Sequence, residues 1–169
     1  MESSFEVLEH CAMVSNLEHA IRRRIKSPNC VLLREAKYDW GLPMKYVPDL
    51  SILCGAYQTK DQCITDVPRF IAEVLSDKTE SVDRNNKMIA YAEAGIEEYW
   101  LVDARISGCT IERYMLSDDG NEFILHDRIN DKEAEQIHII VFPSILFPFN
   151  ELYPAGKKAD TRDNDHRGD

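Results

Sequence analysis

Residues 68–103 read PRFIAEVLSDKTESVDRNNKMIAYAEAGIEEYWLVD, and this segment leaves few folds open. Phe70 to Leu75 is apolar on both faces and rich in β-branched and aromatic residues, the pattern of a strand covered on both sides. Glu73 alone breaks that run. An ionised carboxylate is too costly to bury by itself, so this one must be paired, metal-bound or protonated. Ser76-Asp77-Lys78-Thr79 signals a turn, and a helix is expected from there to about Ala94, with Gly95 at its left-handed C-terminal cap. Val82, Ile89 and Ala92 are expected to face a sheet, with Asp83, Lys87 and Tyr91 on a neighbouring stripe at spacing four. Glu98 to Val102 reads as a second strand ending at Asp103. Strand, crossover helix and strand in so short a segment predict a right-handed βαβ unit.

The rest of the chain supplies the elements around that unit. His10 to Ile25 reads as a helix, with Met13, Val14, Leu17, Ile21 and Ile25 on one face, stopped by Ser27-Pro28-Asn29. Cys30 to Trp40 and Pro48 to Cys54 read as strands, and Tyr57 to Val67 as a polar loop. Cys109–Leu116 and Glu122–His126 form an expected hairpin around Ser117-Asp118-Asp119-Gly120-Asn121. Gln136 to Val141 is a further strand, and Phe142 to Tyr153 an apolar closing segment with a short helix near Leu152. The prediction is an α/β fold with a mixed sheet flanked by helices, as one domain over residues 1–153. The composition from Pro154 onward predicts a disordered tail over residues 154–169.

Composition narrows the function. No apolar run approaches a membrane helix and no signal pattern opens the chain, so a cytoplasmic protein is expected. Five cysteines without a CxxC pair are expected to be reduced thiols. The net charge of −10 opposes non-specific nucleic-acid binding, which needs Lys and Arg against phosphates. Any such contact must be local, and Arg22-Arg23-Arg24 with Lys26 is the densest basic cluster.

Three residues stand out as carriers of chemistry: Asp49, directly after a proline at a strand start; Glu73; and Lys87. Two carboxylates on neighbouring strands supply hard oxygen ligands suited to Mg²⁺ or Mn²⁺, and a nearby ammonium can orient water or balance phosphate charge. Each also has a structural reading. Asp49 can cap a turn, Glu73 can form an ion pair, and Lys87 can pair with Asp83 along the helix. His10 has two readings, a residue near this site or a satisfied helix-start histidine, with the second preferred, and His19, His126 and His138 are isolated. Trp40, Tyr99 and Trp100 are read as core, and Asp103 as the cap of the turn that follows it.

Pro48-Asp49, the glutamate of IAEVLS, and then T-x-x-x-D-x-x-x-K-x-x-x-Y-x-x-x-G-I-x-E-Y-W-L-V-D together resemble the Uma-two family of the PD-(D/E)xK restriction-endonuclease-like superfamily. Residues 10–17 are similar to that family's first core helix, and the resemblance covers roughly residues 7–153. It implies a nuclease-like core in which Asp49 and Glu73 bind Mg²⁺ or Mn²⁺. The superfamily usually places a lysine two residues after the glutamate. Here that position is Leu75, and the resemblance implies that Lys87 on the helix takes its role, with Thr79, Asp83 and Tyr91 as supporting residues. Family members generally carry an additional segment before the helix that begins near His10. The implied function is a divalent-metal-dependent endonuclease acting on DNA, with Asp49, Glu73 and Lys87 as catalytic residues. The alternative is a non-catalytic interaction or assembly module of the same fold. A homodimer is also expected, from the resemblance and from the apolar runs Ile139–Phe142 and Ile145–Phe147.

Overall fold

Every side chain from Phe70 to Val74 is buried, and the sheet is built outward from this strand. The computed structural model describes residues 4–105 and 108–153. The tail expected over 154–169 lies outside them. In chain order the elements are α1 (Ser4–Arg22), β1 (Cys30–Arg34), β2 (Leu50–Cys54), β3 (Thr59–Lys60), β4 (Cys63–Ile64) and β5 (Phe70–Val74). A second helical stretch follows: one turn of α-helix, α2 (Glu80–Val82), a π-helical segment (Asp83–Lys87), and α3 (Met88–Ala94). Then come β6 (Glu98–Asp103), β7 (Thr110–Leu116), β8 (Phe123–Asn130), β9 (Gln136–Ile139), β10 (Phe142–Pro148) and a 3₁₀ turn (Phe149–Leu152).

The main sheet has six strands in the order β1-β2-β5-β6-β7-β8. β5 and β6 are parallel, as the βαβ reading requires, and every other neighbouring pair is antiparallel. The fold is therefore α/β with a mixed sheet. Period-two alternation sends Phe70, Ala72 and Val74 to one face, where they meet Met13, Val14, Leu17 and Ile21 of α1. Ile71, Leu75, Tyr99 and Leu101 go to the other face and pack on Tyr91 of α3. Gly95 ends α3 at φ 90°, a conformation that an L side chain rarely adopts.

Several boundaries differ from the sequence expectations. α1 begins at Ser4, so His10 lies within the helix and not at its start. β1 stops at Arg34, and Glu35 takes a φ of 50° while its N–H still donates to the Asp49 carbonyl at 3.1 Å. The 57–67 loop contains the small β3–β4 hairpin. Cys30 and Cys54 stand directly opposite each other in the β1–β2 ladder and are joined as a disulfide, against the expectation of reduced thiols. Their pairing comes from strand register, which the linear spacing of the cysteines does not reveal.

Two packing expectations are also corrected. Val82 and Ile89 do not face the sheet: they are 46% and 69% exposed, while Asp83 and Tyr91 on the adjacent stripe are buried. The apolar run thought to cover a partner packs largely within this chain. Ile139, Ile145 and Phe147 belong to the core under α1, leaving Leu146 outside. The buried Glu98 ties this region to the sheet by accepting the Ile140 and Val141 backbone N–H groups at 3.1 and 2.8 Å and the Trp100 indole N–H at 2.6 Å.

Candidate active site

Glu73 shares the α3-facing side of β5 with Ile71 and Leu75, and its side chain is only 3% exposed. Its Oε1 lies 3.0 Å from Lys87 Nζ and accepts a hydrogen bond from the Tyr91 hydroxyl at 2.6 Å. Its Oε2 accepts the Asp49 backbone N–H at 3.3 Å. Lys87 Nζ also stands 2.9 Å from Asp83 Oδ1, as a charge contact without hydrogen-bond alignment at that oxygen. The glutamate in the apolar strand is therefore neither solvated nor alone. A buried carboxylate needs a cation, and the helix is turned so that Lys87 can provide one, at the expense of leaving Val82 and Ile89 in water.

The π-helical segment belongs to this arrangement. It carries both Asp83 and Lys87, and the Tyr99 hydroxyl donates to the Asp83 backbone carbonyl at 3.1 Å. π turns inside helices are uncommon and shift the phase of every side chain that follows. Around Tyr91, the rings of Tyr99, Trp40 and Tyr46 approach edge-on at 5.2, 5.9 and 5.6 Å, and Trp40 stacks between Tyr38 and Tyr46. Tyr99 is a core residue as read, Trp40 is partly buried against the same cluster, and both pack on the Tyr91 ring whose phenol donates to Glu73.

Asp49 immediately precedes β2. The β2–β5 register sets Leu50 opposite Ala72, which brings Asp49 beside Glu73 and Val74. Asp49 Oδ2 accepts the Val74 backbone N–H at 2.7 Å and faces His10 Nε2 at 3.5 Å. His10 thus joins the site, so the preferred helix-start reading gives way to the other one. The signal was in the sequence: His10, Met13/Val14, Leu17 and Ile21 continue a single helix face at spacings of three and four. His19, His126 and His138 lie on α1, β8 and β9 and contact neither carboxylate among the described residues.

Electrostatics follow from burial. Loss of water around Glu73 pushes its carboxyl up to about 8; Lys87 opposes the shift, and the Asp49 and Asp83 carboxylates add to it. Burial pulls Lys87 down, but Glu73 and Asp83 outweigh that and hold its ammonium above the ordinary lysine range. His10 is raised to about 9, chiefly through its contact with Asp49, so it is an imidazolium at neutral pH. Beyond the centre, Arg105 bonds Asp103, Asp77 and Glu80, and its backbone N–H is capped by Asp103 as expected. At the far end of α1, Arg24 is paired with Glu151 and Arg22 with Glu18, so the densest basic cluster is partly neutralised.

The donor set suits a hard divalent cation. Mg²⁺ needs only one or two carboxylates from a protein and completes its shell with water and substrate oxygens. The Asp49 N–H donates to Glu73, burial disfavours the ionised form of Glu73 unless a cation is near, and Asp49 Oδ1 accepts no hydrogen bond among the described residues. No group of three or more His, Cys, Asp or Glu side chains is arranged to hold a metal ion among those residues, so a larger protein cage is not offered.

Comparison with known proteins gives consistent results. The model of the Uma2 family, described as "Putative restriction endonuclease", matches residues 6–139. An uncharacterized protein of Synechocystis sp. is 33% identical over 86 residues, which is 50% of this chain and 44% of that protein. The match therefore spans less than half of that relative's length. A crystal structure from Anabaena variabilis, titled as "a putative nuclease belonging to DUF820", superposes with a TM-score of 0.63 over 85% of this chain and 79% of the other. At 18% identity, that likeness is one of fold.

Proposed function

The chain belongs to the Uma2 family, and from that premise we propose that it is a divalent-metal-dependent endonuclease that hydrolyses phosphodiester bonds in DNA. The observation that carries this reading is the position of the Lys87 ammonium, 3.0 Å from Glu73 Oε1, in a cluster that also contains Asp49. Asp49 and Glu73 would hold Mg²⁺ or Mn²⁺. When bound, such a cation polarises a phosphoryl oxygen and makes water a better nucleophile near neutral pH.

The protein's own groups do the positioning. Lys87, tethered between Glu73 and Asp83, presents a positive charge whose place is fixed before substrate arrives. A preorganised charge in a site with little water stabilises developing phosphate charge without reorganising at the moment of reaction. Tyr91 fixes Glu73 from the helix side, and the Val74 backbone N–H fixes Asp49. No helix among the described residues is long and apolar enough to cross a membrane. A homodimer is part of the proposal, supported by exposed apolar side chains at Ile89, Ile124 and Leu125.

The test is nicking of supercoiled plasmid with Mg²⁺ or Mn²⁺, against EDTA and against Asp49→Asn and Lys87→Ala. Cleavage that needs metal and both residues supports the endonuclease. The net charge of −10 favours a second reading, a non-catalytic module of the same fold. Absence of both cleavage and Mn²⁺ binding at millimolar metal would leave that reading alone.

A further inference from the structure

His10 is a side chain of the site for which the proposed chemistry has no use. It is carried by α1, whose Met13, Val14 and Leu17 are buried in the core on the same helix face. A rigid element therefore delivers the imidazole to Asp49. The Asp49 main chain is also fixed, because its N–H donates to Glu73 Oε2 at 3.3 Å. What remains free is the carboxylate torsion, a broad and roughly two-fold rotation with little intrinsic preference.

The two carboxylate oxygens are not equivalent. Oδ2 accepts the Val74 N–H at 2.7 Å and faces His10 Nε2 at 3.5 Å, whereas Oδ1 accepts no hydrogen bond among the described residues. We infer that His10 is a positioning residue for Asp49: together with the Val74 N–H it holds Oδ2 against the protein and leaves Oδ1 open toward a divalent cation. The inference rests on the reading of Asp49 as a ligand in the proposed function. Groups that orient a ligating carboxylate in this way typically change metal affinity by about 10- to 100-fold when removed.

A competing effect has the opposite sign. A positive imidazole beside a cation site repels the cation, so if charge were its main influence, removing it would tighten metal binding. Calorimetric titration of the full chain with Mn²⁺ alone separates the two. His10→Ala is expected to weaken Mn²⁺ binding by about tenfold or more. His10→Gln, which keeps a neutral N–H donor, is expected to restore most of the loss. His10→Leu keeps bulk without a donor, should be as weak as alanine, and replaces His10→Ala if that variant does not fold. Affinity equal to or tighter than the parent's in the donorless variants, or a glutamine variant as weak as leucine, overturns the inference. Asp49→Asn serves as the reference. If it loses Mn²⁺ while the donorless His10 variants do not, only the role of His10 fails. If it binds as the parent does, the ligand reading of Asp49 fails and the role of His10 with it.

Discussion

Lys87 Nζ stands 3.0 Å from Glu73 Oε1, although the two residues lie on different elements and Leu75, the strand-face neighbour of Glu73, is apolar. The ion pair crosses from helix to sheet. It satisfies a carboxylate that the strand buries, and the lysine comes from the last residue of the π-helical segment.

Removing the lysine should destabilise the fold as well as the site. Breaking one side of a buried pair typically costs roughly 3–5 kcal/mol, because a charge is left without a partner. Glu73 can relieve part of this by taking up a proton, so the loss in Lys87→Ala should be smaller at pH 6 than at pH 9. Urea unfolding at both pH values checks this, and an equal loss at both would contradict it. Mn²⁺ binding should survive in this variant while plasmid cleavage is lost.

The pH dependence of the metal-free protein has a definite sign. The Glu73 carboxyl is raised from 4.5 to about 8, so the folded state keeps a proton that the unfolded chain releases. Its contribution to stability is fully present below about pH 4.5 and is lost as pH rises through about 8. Glu73→Gln removes that dependence. Relative to the parent in EDTA, the glutamine variant should gain stability steadily between pH 5 and pH 8, as read from denaturation midpoints. A constant difference across that window would show that Glu73 does not carry the shift.

Leu75→Lys tests whether strand and helix lysines are interchangeable. Alone, it forces a second ammonium into an apolar cluster with Tyr91, Tyr99 and Leu101 and should be strongly destabilising. In the Lys87→Ala background the new lysine lies two residues from Glu73 on one strand face and can pair with it. The double-mutant cycle should therefore show favourable coupling of about 1–3 kcal/mol, with partial return of cleavage. Simple additivity of the two losses counts against the exchange.

Tyr91→Phe deletes the hydrogen bond from the phenol to Glu73 Oε1, 2.6 Å long, while keeping the ring between Trp40, Tyr46 and Tyr99. Hydrogen bonds to charged groups contribute about 1.5–3 kcal/mol, and a loss in that range is expected above pH 8, where Glu73 is ionised. A neutral substitution there would mean that Lys87 and the Asp49 N–H satisfy the carboxylate without the phenol.

Oligomeric state can be measured directly. Light scattering at tens of micromolar should return about twice the 19.5 kDa chain mass. Ile89→Lys on the exposed side of α3 should change the stability of the isolated chain by no more than about 0.5 kcal/mol. If Ile89 lies in the contact, the same change should shift the mass toward 19.5 kDa. A monomer mass for the parent would remove the dimer from the proposal.

The sequence by itself determined the βαβ unit, because an apolar strand, a capped helix and a β-branched strand in succession admit few alternatives. It also singled out Asp49, Glu73 and Lys87: a glutamate within a buried strand is conspicuous from local pattern alone. It could not assign the rotation of the helix. Val82 and Ile89 pointed one face inward on hydrophobicity, and the tertiary structure chose the other because pairing buried Glu73 outweighs exposing two aliphatic side chains. The Cys30–Cys54 disulfide was hidden for a related reason, and the helix pattern that put His10 on the buried face did not name Asp49 as its partner. Strand register and the seating of α1 on the sheet bring together residues far apart in the chain, and only the packed fold sets those distances.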